Sequence, residues 1–397
     1  MKVLVIGSGG REQALCWRLQ RSPSVQSVIR AGDADYVQIA ERLGIDLTVV
    51  GPEAPLVAGV VDQFRERGLP IVGPTAANAA LEGSKIYSKR FMQKLGVPTA
   101  AFEVVGDAAE ARTALRRFRY PVVLKTDGLA AGKGVVVAQD AHEVEAGLAQ
   151  LAYPMVIEEF LEGEEVSFIA LCDGKTAVAL EPSQDHKRIF DNDEGPNTGG
   201  MGAYSDSRIL NASQRSFIMD TIINPVLSAT SFTGFLYAGL MMTAEGPSVL
   251  EFNVRLGDPE TQPLMMRLES DWGEVLMAAA RGALPNRPLD WSAEPATCVV
   301  MAAKGYPGRV EAGQRITGID DVDNGAVVFQ AATRLVDGSL VAAGGRVLGV
   351  TARGRDLKDS IDRAYAAVGK IHFDGMQYRR DIGFRGVRRY NEFGSGT

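Results

Sequence analysis

The sequence predicts an α/β protein with α+β parts: an N-terminal open parallel-sheet domain, a two-lobed middle domain and a small β-rich C-terminal domain. Three observations predict it. Over the first hundred residues, apolar strand-like runs alternate with amphipathic helices, the pattern of an open parallel sheet. The middle of the chain places a glycine-rich hairpin between strands. After "LPNRPLDW" (284–291) short strands with glycine turns take over. The chain has 397 residues, more than the roughly 250–300 at which one core stops growing. The expected divisions are 1–100, 101–291 with a smaller mobile lobe at about 120–180, and 292–397.

The elements follow in order. "KVLVIG" (2–7) is a short apolar run, as in a parallel strand buried on both faces. An amphipathic helix is expected from Arg11 to Gln20. "DLTVVGPEAPL" (46–56), with a helix over 58–67, repeats the unit, and "LPIVGPT" (69–75) begins it again. Between 101 and 180 the strands are "PVVLK", "GVVVA", "MVIEEF" and "VSFIALC". Residues 181–204 are polar and glycine-rich and read as a long loop, a length that is usually functional. A helix (211–227), two strands (234–242 and 248–254) and a second helix (271–281) follow. The C-terminal strands end in a helix near 357–371.

Composition narrows the function. Lys and Arg number 42 against 49 Asp and Glu, a net charge of −7. That balance argues against a nucleic-acid binder, which carries a basic domain. There is no 18-residue apolar run, so no membrane partner is expected. The opening "MKVLVIGSGG" is a strand and not a signal peptide, because glycine follows a short apolar run. Cys16, Cys172 and Cys298 lie too far apart for a zinc site and read as small buried hydrophobes in a reducing compartment. A cytoplasmic location is expected.

Four stretches carry chemistry. "KTDGLAAGKGVVV" (125–137) places Lys125 and Lys133 among three glycines between two strands. Glycine lets backbone N–H groups approach an anion, and lysine suits phosphate oxygens. This is no Walker A loop, because a strand follows where a helix is required. In "VIEEFLEGEEVSF" (156–168) acids end an apolar strand, where an adenine edge and ribose hydroxyls could be met. "SVLEFNVRLGDPETQ" (248–262) alternates Glu251 and Asn253 with Leu250 and Phe252. Period two puts the acid and amide on one face, with Arg255 beyond them. Glu plus Asn is an oxygen pair for Mg²⁺. "SQDHKR" (183–188) clusters Asp185, His186, Lys187 and Arg188, read as orienting phosphate or substrate. "GSGGRE" (7–12) is half of a dinucleotide fingerprint, with Glu12 where the third glycine belongs. It is read as an anion site at a helix N-terminus.

Together with "LEGSK", "GPNTGGMGAY", "KGYPG" and "GGRVLGV", these stretches resemble the phosphoribosylamine–glycine ligase family of the ATP-grasp superfamily, in the family's order from residue 3 to about 350. The resemblance makes the middle domain an ATP-grasp domain. It implies ATP-dependent joining of glycine to 5-phosphoribosylamine through glycyl phosphate, with ATP and Mg²⁺ (or Mn²⁺) and a monomeric enzyme. By motif match, Lys85, Lys125, Lys187 and the loop residues Gly132, Lys133 and Gly134 face ATP phosphates. Glu158, Glu159 and Leu161 line the adenine site, and Glu165 holds the ribose. Glu251 and Asn253 bind the metal. Gly9, Glu53, Asp185, Arg255 and Asp258 face the other substrates, with Arg255, Lys133 and Asp185 as the implied catalytic residues. The chain departs from the family pattern in a short 28–46 segment, where a strand and helix are expected to be replaced, and in a short 149–155 segment. Gln13 and Gln330 stand where histidine is usual, and Val254 and Leu256 replace Cys and Phe.

Overall fold

The computed structural model describes residues 1–32, 34–129, 134–323 and 325–393. The N-terminal part runs β1 (Lys2–Ile6), α1 (Gly10–Leu19), β2 (Ser27–Ala31), α2 (Tyr36–Leu43), β3 (Leu47–Val50), α3 (Glu53–Val57), α4 (Val60–Glu66) and β4 (Ile71–Val72). Its four strands form a parallel sheet in the order β2-β1-β3-β4. The short 28–46 segment retains both a strand and a helix, contrary to expectation. The Asp35 side chain caps α2 by accepting from the Gln38 N–H, and Gly44 closes it in the left-handed region, so eight residues suffice for the helix. The single helix expected over 58–67 is preceded by a separate turn of helix. Gly59, at φ +85°, breaks α3 from α4.

Helices α5 (Ala76–Gly83) and α6 (Lys85–Leu95) meet at Ser84, whose hydroxyl accepts from the Tyr87 N–H and starts α6. Then come β5 (Phe102–Val105), α7 (Ala108–Leu115), β6 (Val122–Thr126), β7 (Val135–Ala138), α8 (Ala141–Gln150) and β8 (Met155–Glu159). They build an antiparallel sheet, β5-β8-β6-β7, with its own core of Val105, Val122, Leu124, Ala138 and Ile157. This lobe spans 102–159 and not 120–180. The next strand, β9 (Glu164–Asp173), is buried along most of its length and joins a different sheet.

That sheet is the centre of the molecule. Beyond β9 come β10 (Ala177–Ala179), β11 (Ser183–Asp185), β12 (Arg188–Phe190), β13 (Glu194–Asn197) and β14 (Gly202–Ser205). The stretch 181–204, expected as loop, therefore carries strands. β11 pairs with both β9 and β14, and β12 with β13. Neighbouring strands supply the pairing that this polar sequence does not advertise. Helices α9 (Ala212–Ile218) and α10 (Asn224–Thr230) are joined by a π turn at Met219–Ile223, just before Pro225, which has no N–H to donate. Then follow β15 (Thr233–Thr243), β16 (Gly246–Asn253), α11 (Thr261–Arg267), α12 (Trp272–Ala280), β17 (Ala296–Ala302), β18 (Ala326–Gln330), β19 (Thr333–Val336), β20 (Ser339–Ala342), β21 (Arg346–Arg353), α13 (Leu357–Val368) and α14 (Phe384–Phe393). The order is β16-β15-β9-β11-β14-β17-β21-β18, with β10 beside β9. The C-terminal strands thus continue the central sheet edge to edge, and β19–β20 stands apart as a hairpin.

Alternation assigns the two faces. Phe168 and Ala170 of β9 with Leu236 and Ala238 of β15 enter one cluster, while Ile169, Leu171, Phe235 and Tyr237 enter another with Trp272. Both faces are covered, so the run reads as continuously apolar. Cys172 and Cys298 are buried, as expected, and Cys16 is half-buried. Burial pushes the Cys16 thiol up to about 11 and Cys298 up to about 12. The His186 side chain points away from solvent, packs near Tyr204 and Phe384, and accepts from the Gly383 N–H at 3.1 Å. Burial pulls it down to about 3, so it is neutral and structural. Among the described residues no helix is long and apolar enough to cross a membrane.

Trp272 is fully buried and lies 6.0 Å from Phe235, centroid to centroid. Trp272→Ala is expected to lower stability by about 3–5 kcal/mol, read as a drop in the denaturant midpoint of the central sheet followed by tryptophan-independent circular dichroism.

Candidate active site

A cleft of about 710 Å³ opens between the two sheets. Val123, Lys125 and Val156 of the small lobe form one wall, Tyr237, Glu251 and Asn253 the other, and Arg11, Glu53 and Arg346 close the ends. Of the residues singled out in the sequence, Glu53, Lys85, Lys125, Gly134, Glu158, Glu159, Leu161, Glu165, Asp185, Lys187, Glu251, Asn253, Arg255 and Asp258 all line it. Gly132 and Lys133 lie outside the described residues. Gly9 does not line the cleft, though a Cβ there would lie 3.9 Å from Asp258 Oδ2; its N–H donates to Glu12 Oε2 at 2.6 Å. The anion site expected at this helix start is thus partly filled by the chain's own carboxylate. Glu12 also pairs with Arg11 at 2.6 Å.

The lysines are held by local structure. Lys85 opens α6 and donates to the Gly128 carbonyl at 2.8 Å. Asp127 accepts from the Ser84 hydroxyl at 3.0 Å and the Ile86 N–H at 3.1 Å. Both contacts pin the base of the glycine hairpin to the start of that helix. Burial lowers Lys85, against the pull of Glu251. Lys125 comes from β6. It pairs with Glu158 of β8 and donates to the Leu250 carbonyl at 3.2 Å. Glu158 also pairs with Lys89. Its carboxylate is therefore engaged by two ammonium groups, though its position lines the cleft. Lys187 pairs with Glu165 at 2.6 Å. That carboxylate raises Lys187 despite burial.

Strand β16 carries the acid and the amide. The β15–β16 register slips between Gly239 and Leu240, so Leu250 is an extra residue on β16. Such a bulge re-aims neighbouring groups, and here the Leu250 carbonyl meets Lys125. Burial raises Glu251, but Lys187, Lys125 and Lys85 together hold it below the usual carboxylate range. It is charged at neutral pH. Asn253 Oδ1 accepts from Arg255 Nη2 at 3.0 Å.

Arg255 is gripped by two acids, Glu53 at 3.2 Å and Glu82 at 2.8 Å. They hold the guanidinium charged against burial. Glu82 also accepts from the Val254 N–H at 2.8 Å, and burial raises it in spite of Arg255. Opposite, Asp258 pairs with Arg346 at 3.1 Å and accepts from Gln262 at 2.8 Å. Burial works against its charge, and Arg346 with Arg11 overcomes that, leaving Asp258 low. Asp185 differs. Burial, then the nearby Glu260 charge, raises it well above the ordinary value. Glu260 Oε1 accepts from Tyr237 at 2.6 Å and Ser167 at 3.1 Å. Gly200, at φ +111°, must be glycine here: a Cβ would fall 2.7 Å from Asp185 and 2.4 Å from Pro259.

Sequence reading missed Arg11, Glu82, Lys89, Glu260 and Arg346 as site residues. Glu82 and Arg346 lay within "LEGSK" and "GGRVLGV", which were noticed for other reasons. Lys89 looks like one more polar position on a helix. Gln13 and Gln330, both departures from the family pattern, meet each other: the Gln330 N–H donates to Gln13 Oε1.

The arrangement can hold a polyphosphate among lysines, a cation at Glu251 and Asn253, and anionic substrates near Arg255 and Arg346. Known proteins bear on it directly. Family models for phosphoribosylglycinamide synthetase match the N domain over residues 1–82, the ATP-grasp (A) domain over 83–261 and the C domain over 296–385. A phosphoribosylamine–glycine ligase of Ralstonia nicotianae is 48% identical over 98% of this chain and 100% of its own length. The crystal structure of the phosphoribosylamine–glycine ligase of Thermotoga maritima superposes with a TM-score of 0.81 at 33% identity, over 96% of this chain and 100% of that one. The biotin carboxylase domain of the Hydrogenobacter thermophilus 2-oxoglutarate carboxylase, solved with MgADP, shares the fold at a TM-score of 0.73 and 16% identity, over 95% of this chain and 91% of that one. The chain belongs to the phosphoribosylglycinamide synthetase family, with the ATP-grasp fold at its centre.

Proposed function

We propose that this protein is a phosphoribosylamine–glycine ligase, joining glycine to 5-phosphoribosylamine with ATP to give glycinamide ribonucleotide, ADP and phosphate, the second step of de novo purine synthesis. The observation that carries the reading is the cleft itself: Lys85, Lys125 and Lys187 converge on an ionised Glu251 in a chain matched along its length by one family. The glycine carboxylate attacks the γ-phosphorus of ATP, the bond from that phosphorus to the bridging oxygen breaks, and ADP leaves with glycyl phosphate formed. The amine nitrogen then attacks the glycyl carbon; the C–N bond forms, the C–O bond to phosphate breaks, and the amine loses a proton. Such chemistry asks for positioning and charge stabilisation, not a protein nucleophile.

The roles are those the motif matches imply, and most of the residues concerned line the one cleft. Lys85 and Lys125, with Gly132, Lys133 and Gly134 of the glycine hairpin, take the phosphates, and Lys187 reaches them from the opposite sheet. Glu158, Glu159 and Leu161 line the adenine end, and Glu165 takes the ribose. Gly9, Glu53, Asp185, Arg255 and Asp258 receive glycine and the phosphoribosylamine. Arg255, Lys133 and Asp185 act on the reacting groups. Glu251 and Asn253 fit Mg²⁺ or Mn²⁺: one is a charged carboxylate, and the other has a second lone pair beyond its contact with Arg255. Such an ion takes few protein ligands beside phosphates and water. Among the described residues no group of three or more His, Cys, Asp or Glu is placed to hold a metal ion. When bound, the ion neutralises phosphate charge. Closure of the hairpin excludes water from the acyl phosphate. The enzyme is placed in the cytoplasm as a monomer acting on small molecules.

Purified protein given ATP, Mg²⁺ and glycine is expected to release phosphate rapidly only when phosphoribosylamine is added; release independent of the amine rejects the assignment. Glu251→Ala is expected to lower kcat by about 10²-fold or more with an unchanged melting temperature. An unaltered kcat in the folded variant removes Glu251 from the metal site.

A further inference from the structure

The reaction leaves Lys89 unused, yet Lys89 is among the most buried cations of the chain, 3% exposed. It sits on α6 with its ammonium against Glu158, itself 2% exposed, and donates to the Thr99 hydroxyl at 2.7 Å. Thr99 donates in turn to the Val249 carbonyl at 2.6 Å. On the other side of Glu158 lies Lys125, which reaches the Leu250 carbonyl. The chain of contacts thus runs from β16 through Thr99, Lys89, Glu158 and Lys125 back to β16, and ties the small lobe to the central sheet.

Its charge is uneven. Two ammonium groups share this one carboxylate, with the Glu251 charge acting on both lysines from β16; all three groups line the cleft, and Lys125, 7% exposed, is the most accessible of them. Without Lys89 the remaining pair would be neutral and closed. A nucleotide drawing Lys125 to its phosphates would then strand a buried, unpaired carboxylate, which is costly.

We propose that Lys89 is a positioning residue for nucleotide binding: it remains the counter-ion of Glu158 so that Lys125 is free to turn to the polyphosphate. The ligase reading enters only in naming that polyphosphate as ATP. In this role Lys89 acts through Glu158 and Lys125.

Calorimetric titration of the full chain with Mg²⁺ and the non-hydrolysable analogue adenylyl imidodiphosphate tests this without turnover. Lys89→Met is expected to raise Kd by about tenfold or more, with Lys89→Arg within about threefold of wild type. In a Glu158→Gln background, where no carboxylate needs a counter-ion, Lys89→Met is expected to change Kd by less than about twofold. A folded Lys89→Met protein with wild-type Kd, or an equal loss in both backgrounds, overturns the proposal. If Lys89→Met does not fold, Thr99→Val, which releases the Lys89 ammonium, is read in its place by the same comparison of backgrounds, and equal effects in both again overturn it. Wild-type binding of the analogue without amine-dependent phosphate release would reject the ligase reading and leave this comparison intact.

Discussion

The cleft is governed by one constraint: groups meant for a polyanion and a cation must neutralise one another until those ligands arrive. Lys125 and Lys89 share Glu158, Lys187 holds Glu165, Arg255 holds Glu53 and Glu82, and Arg346 holds Asp258. A bare buried charge costs several kcal/mol even after relaxation, so such pairing is a condition of folding. It also means that binding exchanges partners instead of filling empty donors. Net contributions of the pairs to stability are therefore small, while breaking one by deleting a single partner is costly.

The fold serves this exchange by keeping its two walls on separate sheets. The small lobe owns a core of its own, apart from the clusters that cover both faces of the central sheet. The contacts that cross between them include polar ones: Lys125 to Leu250, Lys89 to Glu158, Ser84 and Ile86 to Asp127, and Lys85 to the Gly128 carbonyl. Polar links of this sort re-form with a ligand more readily than interdigitated side chains do.

The central sheet also explains why a long polar stretch holds its shape. Asp185 ends β11, which is hydrogen-bonded on both sides, and Gly200 gives its carboxylate room. Arg379 and Arg385 both reach Asp193, and Arg385 donates to the Asp185 carbonyl at 3.2 Å. The end of the chain thereby braces the segment that brings Asp185 and Lys187 into the cleft.

Much of the site is legible in short stretches because its geometry is local. Alternation in "LEFNV" puts Glu251 and Asn253 on one side of a strand, and strand–glycine–strand in 122–138 makes a hairpin, whatever surrounds them. The four-stranded parallel sheet is legible for the same reason, since its repeat is written in period and turns. The strands within 181–204 are not, because β12 and β13 pair with each other while β11 and β14 pair with each other and are flanked by β9 and β17, and a polar sequence shows no alternation that records this. The bulge at Leu250 is likewise invisible to simple alternation. Lys89, Glu82 and Arg346 are polar residues in ordinary local settings. Their burial and their partners come from segments up to 172 residues away in the case of Glu82 and Val254, and 88 in that of Arg346 and Asp258. By itself the sequence determined most of the elements, the family and the chemistry-bearing motifs, because each is a matter of neighbours in the chain. Only the tertiary structure decided which acid neutralises which base, because that depends on groups desolvated together across sheets, and no local pattern records it.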